Sequence, residues 1–265
     1  MHFSGTYDGI WLWLLAGMAL VFAASTVGAL PLMRKTRMSA STQSFLLGGS
    51  GGIMLGATFF SLILPALGLF EDKGHSPTLS AAYVGLFILL GGWVVYALHQ
   101  IIPHEHLIKG VDIDLAKKYS RQLLVILAVG LHNLPEGLAV GVGIGSGEAQ
   151  LAGPLSIAIA LQDIPEGLIV AISLSLIGFS AGRILLITAL TGLVESLGVL
   201  IGGVAIQLTQ AIMPAAFALC AGAMLFVVSH EVIPESHSHH HERAATLGLM
   251  LGFVLMLLLD KGLAG

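Results

Sequence analysis

Charge is what this sequence has least of. Asp, Glu, Lys and Arg make up 10% of its 265 residues, against about 25% in a soluble domain. With 56% apolar residues and a mean hydropathy of +0.93, a water-soluble globule is excluded and an integral membrane protein is implied. Cysteine is scarce too. Cys220 alone can supply neither a disulfide framework nor a thiolate metal cluster, and reads as a small apolar residue inside a helix. No Gly/Ser-rich or Pro-rich linker interrupts the chain, so residues 1–265 are expected to form one unit. The opening MHFSGTYDG has no basic n-region, and the expectation is that no signal peptide is removed.

What the chain has is apolar length. Runs fall near 10–33, 45–69, 80–102, 122–146, 152–177, 184–207, 211–234 and 244–260, each close to the ~20 residues a spanning helix needs. These predict an all-α membrane protein, an eight-helix bundle. Arg34, Lys35, Arg37, Lys109, Lys117, Lys118, Arg121, Arg183 and Arg243 are nine of the eleven basic residues and fall on one side of that plan, leaving Lys73 and Lys261 for the other. Cytoplasmic loops are enriched in Lys and Arg, so the 103–120 loop is expected inside and both termini outside.

One segment is repeated. LHNLPEGLAVG at 131–141 returns as LQDIPEGLIVA at 161–171. Consecutive spans run antiparallel, so the copies are expected to face each other across a pseudo-two-fold axis in the membrane plane, where transporters commonly place substrate sites. A fainter echo pairs SLILP at 61–65 with HEVIP at 230–234.

Helical spacing of i, i+1 and i+4 puts His132, Asn133 and Glu136 on one face, and Gln162, Asp163 and Glu166 on the matching face of the next helix. Pro135 and Pro165 each release the carbonyl four residues earlier, on Leu131 or Leu161. Gly137, Gly141 and Gly145, like Gly167, Ala171 and Ser175, recur every four residues. Such stripes allow near backbone contact, so helices 4 and 5 are expected to meet there with both polar clusters in their interface. Glu195, flanked by Thr191, Gly192, Gly198 and Gly202, brings a further carboxylate from helix 6.

Between Arg121 and Arg243 the one basic residue is Arg183, at a helix end, while Glu136, Asp163, Glu166 and Glu195 all lie within spans. A charged side chain at the centre of a spanning helix costs roughly 3 kcal/mol on insertion scales, so four cost roughly 10 kcal/mol, comparable with the whole stability of a protein, about 5–15 kcal/mol. These acids must be protonated, solvated or neutralised by a cation. Imidazole with carboxylate and amide oxygens, and no sulfur, suits zinc, iron, manganese or cadmium, whereas magnesium and calcium prefer oxygen alone. A two-metal site bridged by Glu136 and Glu166 is a reasonable geometry, with His132 and Gln162 on one ion and Asn133, Asp163 and Glu195 on the other.

These residues resemble a known family. HNLPEG in helix 4, QDIPEG in helix 5, an acid in helix 6 and SHEVIPE in helix 7 are similar to the bacterial branch of the ZIP transporters, the zinc- and iron-regulated transporter-like proteins. The resemblance implies passive or proton-influenced movement of divalent cations into the cytoplasm through a binuclear site on helices 4, 5 and 6. It also implies alternating access by sliding of one bundle against another, a homodimer, and the bacterial inner membrane. Metal ions would be substrates, with no prosthetic group and no nucleic-acid partner. Many members carry histidine at the position of Gln162 and asparagine or glutamate at that of Asp163, so a broader range of ions than zinc is implied here.

Further candidate ligands cluster on the expected cytoplasmic side: His99, His104 and His106 near the end of helix 3, then His230, Glu231 and Glu235 ending helix 7 ahead of the His-rich run 237–241. Two rivals to transport remain. A zinc protease of the HExxH type lacks its second histidine in HEHLI, HEVIP and HERAA, and GGSGG at 48–52 fits a serine-hydrolase GxSxG pattern but is better explained by close helix packing. A metal sensor without flux is the other, against which the paired proline-bearing helices favour a gate.

Overall fold

The computed structural model describes residues 6–33, 38–101, 133–176, 178–237 and 241–263. Within these the chain is helical throughout, as a bilayer demands of any segment that must satisfy its own backbone polar groups. The helices are α1 (Thr6–Gly28), α2 (Ala40–Asp72), α3 (Pro77–Ile101), α4 (described over 133–145), α5 (Ala149–Leu176), α6 (Ala181–Leu208), α7 (Gln210–His237) and α8 (Glu242–Leu263). Seven of them, all except the described part of α4, are long and apolar enough to cross a membrane. The expected fourth span, 122–146, therefore falls partly outside the described residues.

Local chemistry sets the ends. Ser39 caps α2, its hydroxyl accepting from the Thr42 N–H at 3.1 Å, so the helix starts ahead of the apolar run. Pro77 opens α3, where its missing N–H costs nothing. Gly147 (φ 77°) and Gly178 (φ 90°) make the turns on either side of α5, a backbone conformation that favours glycine. Inside α5, Pro154 and Pro165 are carried without a break in the helix.

Two of the spans change pitch. In α2, Thr58–Ile63 is π-helical, with the Leu64 N–H reaching back to the Phe59 carbonyl; in α7, Val228–Val232 is π-helical, with Ile233 N–H bonded to Val228 O. Pro65 and Pro234 follow directly, and each leaves unbonded the carbonyl four residues before it, which a wider turn accommodates. The faint echo of SLILP and HEVIP is thus a shared structural device.

Glycines fix which helices touch at the backbone. A Cβ on Gly48 or Gly52 of α2 would collide with the backbone at Ala245 or Leu249 of α8, and one on Gly91 of α3 or Gly222 of α7 with Leu219 or Ile88 of the other. Gly28 of α1 abuts Ile164 of α5 and Gly167 abuts Ser25, while Gly137 and Gly141 of α4 abut Glu195 and Val199 of α6. The close pairs are α2 with α8, α3 with α7, α1 with α5 and α4 with α6. Exchanging α1, α2 and α3 for α6, α7 and α8, and α4 for α5, leaves this pattern unchanged, as inverted pseudo-symmetry requires.

One expectation is corrected here. The small-residue stripes of helices 4 and 5 do not meet each other: the stripe of α4 lies on α6, and Gly167 of α5 lies on α1. A stripe of glycines declares that a backbone will approach, but not which one. Helices α1, α4, α5 and α6 form one bundle and α2, α3, α7 and α8 another, joined chiefly where α2 packs against α5. Outward faces are apolar, with Leu89 and Trp93 of α3 and Leu258 of α8 more than 60% exposed.

Candidate metal centre

The polar residues that the sequence places on α4, α5 and α6 come together in the interior. Asn133, Glu136, Gln162, Asp163, Glu166 and Glu195 are all at most 5% exposed. One carboxylate oxygen each from Glu136, Asp163 and Glu166 lies within 4.8 Å of the others, a spacing a single cation can bridge. Glu195 adjoins Asp163 from α6, so all four acids repel one another across a few ångströms of apolar interior.

The amide side chains are used asymmetrically. Gln162 spends its N–H on Glu136 Oε1 at 2.9 Å, and Asn133 directs its own toward the Thr191 carbonyl on α6 at 3.5 Å. The carbonyl oxygen of each is buried as well. The result is a nest of acceptors: Asn133 Oδ1, Gln162 Oε1, Glu136 Oε2, both oxygens of Asp163 and Glu195 Oε1 are buried with no hydrogen-bond donor among the described residues. Buried polar atoms are almost always paired, and an unmade hydrogen bond costs about 1–3 kcal/mol. Six such acceptors in one place call for protons, water or a bound cation.

No protein cation supplies positive charge from the described chain, where Lys73, Arg183, Arg243 and Lys261 are all exposed. Arg183 in particular does not reach the acids. His132 lies outside the described residues, as do His104 and His106, and of His99 only the backbone is described.

Two serines hold the carboxylates from behind. Ser25 of α1 donates to Glu195 Oε2 at 3.4 Å, and Ser50 of α2 to Glu166 Oε1 at 2.6 Å. Reasoning from sequence passed over both. Ser50 is the centre of GGSGG, and the helical repeat places it about 200° round from Gly48 and Gly52; those glycines face α8, so the serine had to face the opposite way. That angle was the available signal.

Of the outlying candidates, His230, Glu231 and Glu235 are described, on α7. His230 is exposed and lies tilted against Phe226 with ring centroids 5.1 Å apart, Glu231 and Glu235 are half-buried, and His237 bonds to Ser236 and Thr246. Among the described residues, Glu136, Asp163 and Glu166 are the one group of three such ligands close enough to share an ion. Met54 and Met224 are buried core residues, with Leu155 and Ile159 beside them in the same cluster.

Fold and site together define an integral membrane protein with a buried acidic cluster that could hold a metal ion between its helices. A family model described as "ZIP Zinc transporter" matches residues 104–260. The chain is 42% identical to Zinc transporter GufA of Myxococcus xanthus over 249 residues, covering 94% of this chain and 98% of that one. It is 44% identical to Zinc transporter ZIPB of Bordetella bronchiseptica over 93% of its own length and 80% of the relative's. Zinc transporter ZIP11 of Xenopus tropicalis is 30% identical over 82% of this chain. The chain belongs to the ZIP family of transporters, which are not enzymes, and its bacterial relatives point to the inner membrane.

Proposed function

We propose that this protein carries zinc, and with it cadmium, iron and manganese, into the cytoplasm through two adjacent intramembrane ion sites. Glu136 and Glu166 bridge the ions; Gln162 with His132 completes one, and Asn133, Asp163 and Glu195 the other. The observation that carries this reading is the set of six buried acceptor oxygens without a donor among the described residues, on helices where an uncompensated carboxylate is costly. Within this reading His132 is what inclines the site to these ions over magnesium and calcium, which prefer oxygen alone.

Movement is by alternating access. The helices that carry the cluster, α4, α5 and α6 with α1, pack as one body against α2, α3, α7 and α8, and sliding of the first past the second would expose the ions to either side. The working unit is a homodimer with both termini outside, and the histidines and acids that follow helices 3 and 7, His99, His104, His106, His230, Glu231 and Glu235, receive the ion on its way out.

The test is flux. Sealed vesicles carrying the purified protein are expected to accumulate zinc, and the rate to collapse in Glu136→Ala and Glu166→Ala. Stoichiometric zinc binding with no accumulation would replace transport with sensing.

A further inference from the structure

We propose that Ser50 is a positioning residue that makes the ion affinity of the site depend on conformation. The proposal rests on the transport reading above. Ser50 is 1% exposed and its hydroxyl stands 2.6 Å from Glu166 Oε1, the short distance of a hydrogen bond to a charged acceptor. Held through Oε1, Glu166 presents its other oxygen in a fixed direction, the service that outer-shell donors perform for ligating carboxylates.

What distinguishes Ser50 is where it is anchored. Gly48 and Gly52, on the other face of the same helix segment, are locked against the backbone of α8, so Ser50 belongs to the bundle that does not carry the acids of the central cluster. Glu166 belongs to the other. Ser25, by contrast, lies on α1, whose backbone abuts Gly167, and it stays with the site however the bundles move. A slide of the two bodies past each other breaks the Ser50 contact and preserves the Ser25 contact. Glu166 is therefore a well-oriented ligand in the conformation described here and a less constrained one after the slide. A carrier needs that difference, since it must bind on one side and release on the other.

Ser50→Ala removes only the hydroxyl. In reconstituted vesicles the half-saturating zinc concentration is expected to rise on the order of tenfold, the usual effect of losing an outer-shell partner, while the maximal rate is retained because release takes place after the slide, where the Ser50 contact is already broken. Ser50→Thr, which keeps the hydroxyl, restores the half-saturation, and the zinc-free Ser50→Ala protein still unfolds cooperatively, its midpoint lowered by no more than the loss of one hydrogen bond. An unchanged half-saturation in Ser50→Ala would overturn the proposal. So would a folded Ser50→Thr protein as impaired as the alanine variant, or a parallel loss of maximal rate and zinc-free stability, the mark of a merely structural serine. Wild-type vesicles that take up no zinc would instead sink the transport reading itself.

Discussion

Gln162 and Glu136 occupy unlike positions of the two repeats yet bond to each other, the Gln162 N–H donating to Glu136 Oε1 at 2.9 Å. Gln162 matches His132 of the first copy and Glu136 matches Glu166 of the second, so the contact knits the copies together as well as orienting a proposed bridging carboxylate. Gln162→Ala is expected to raise the half-saturating zinc concentration about tenfold. Gln162→His puts imidazole where an amide oxygen stood, and nitrogen favours zinc over manganese. The ratio of zinc to manganese uptake, measured in one vesicle preparation, should rise in that variant.

Neutralising an acid separates binding from stability. Asp163 and Glu195 are acids buried beside each other, an arrangement that burdens the zinc-free fold. Asp163→Asn or Glu195→Gln is expected to raise the thermal midpoint of the zinc-free protein. The same variants should lose most of the stabilisation that zinc gives the wild type, which is about 2.7 kcal/mol at a hundredfold excess over the dissociation constant. Calorimetry with and without zinc reads both quantities.

Glycine substitutions should divide sharply by neighbour. A Cβ on Gly198 of α6 would sit 2.7 Å from the Leu134 carbonyl oxygen and 2.9 Å from the Leu138 nitrogen of α4, and backbone cannot step aside. Gly198→Ala is expected to part α4 from α6, misplace Glu136 relative to Glu195 and abolish uptake. Gly153→Ala, with nothing within 4 Å, should keep transport and gain up to about 1 kcal/mol of helix propensity. Uptake and thermal melts of the two variants check the contrast.

The acids of the site were legible in the sequence because Glu136, Asp163, Glu166 and Glu195 lie in apolar runs where no soluble role explains them. The arrangement of helices was legible only in part. Gly137, Gly141 and Gly145 announced a close approach, and α6 rather than α5 answers it, because chain order does not dictate backbone contact. Ser25 and Ser50 stayed hidden for a related reason: small hydroxyls among glycines look like packing until the partner helix is known. The π-helical turns at Thr58–Ile63 and Val228–Val232 show as a weak likeness of two pentapeptides, since what they share is a proline and a pitch more than side chains.

The central claim is that the acceptor cluster exists to hold a dication, and diffraction from zinc-soaked crystals at the zinc absorption edge tests it most directly. The account predicts anomalous density between α4 and α5, within bonding distance of Glu136 and Glu166, and its loss in a Glu136→Ala, Glu166→Ala double variant. Anomalous density found elsewhere in the protein while that position stays empty would contradict it.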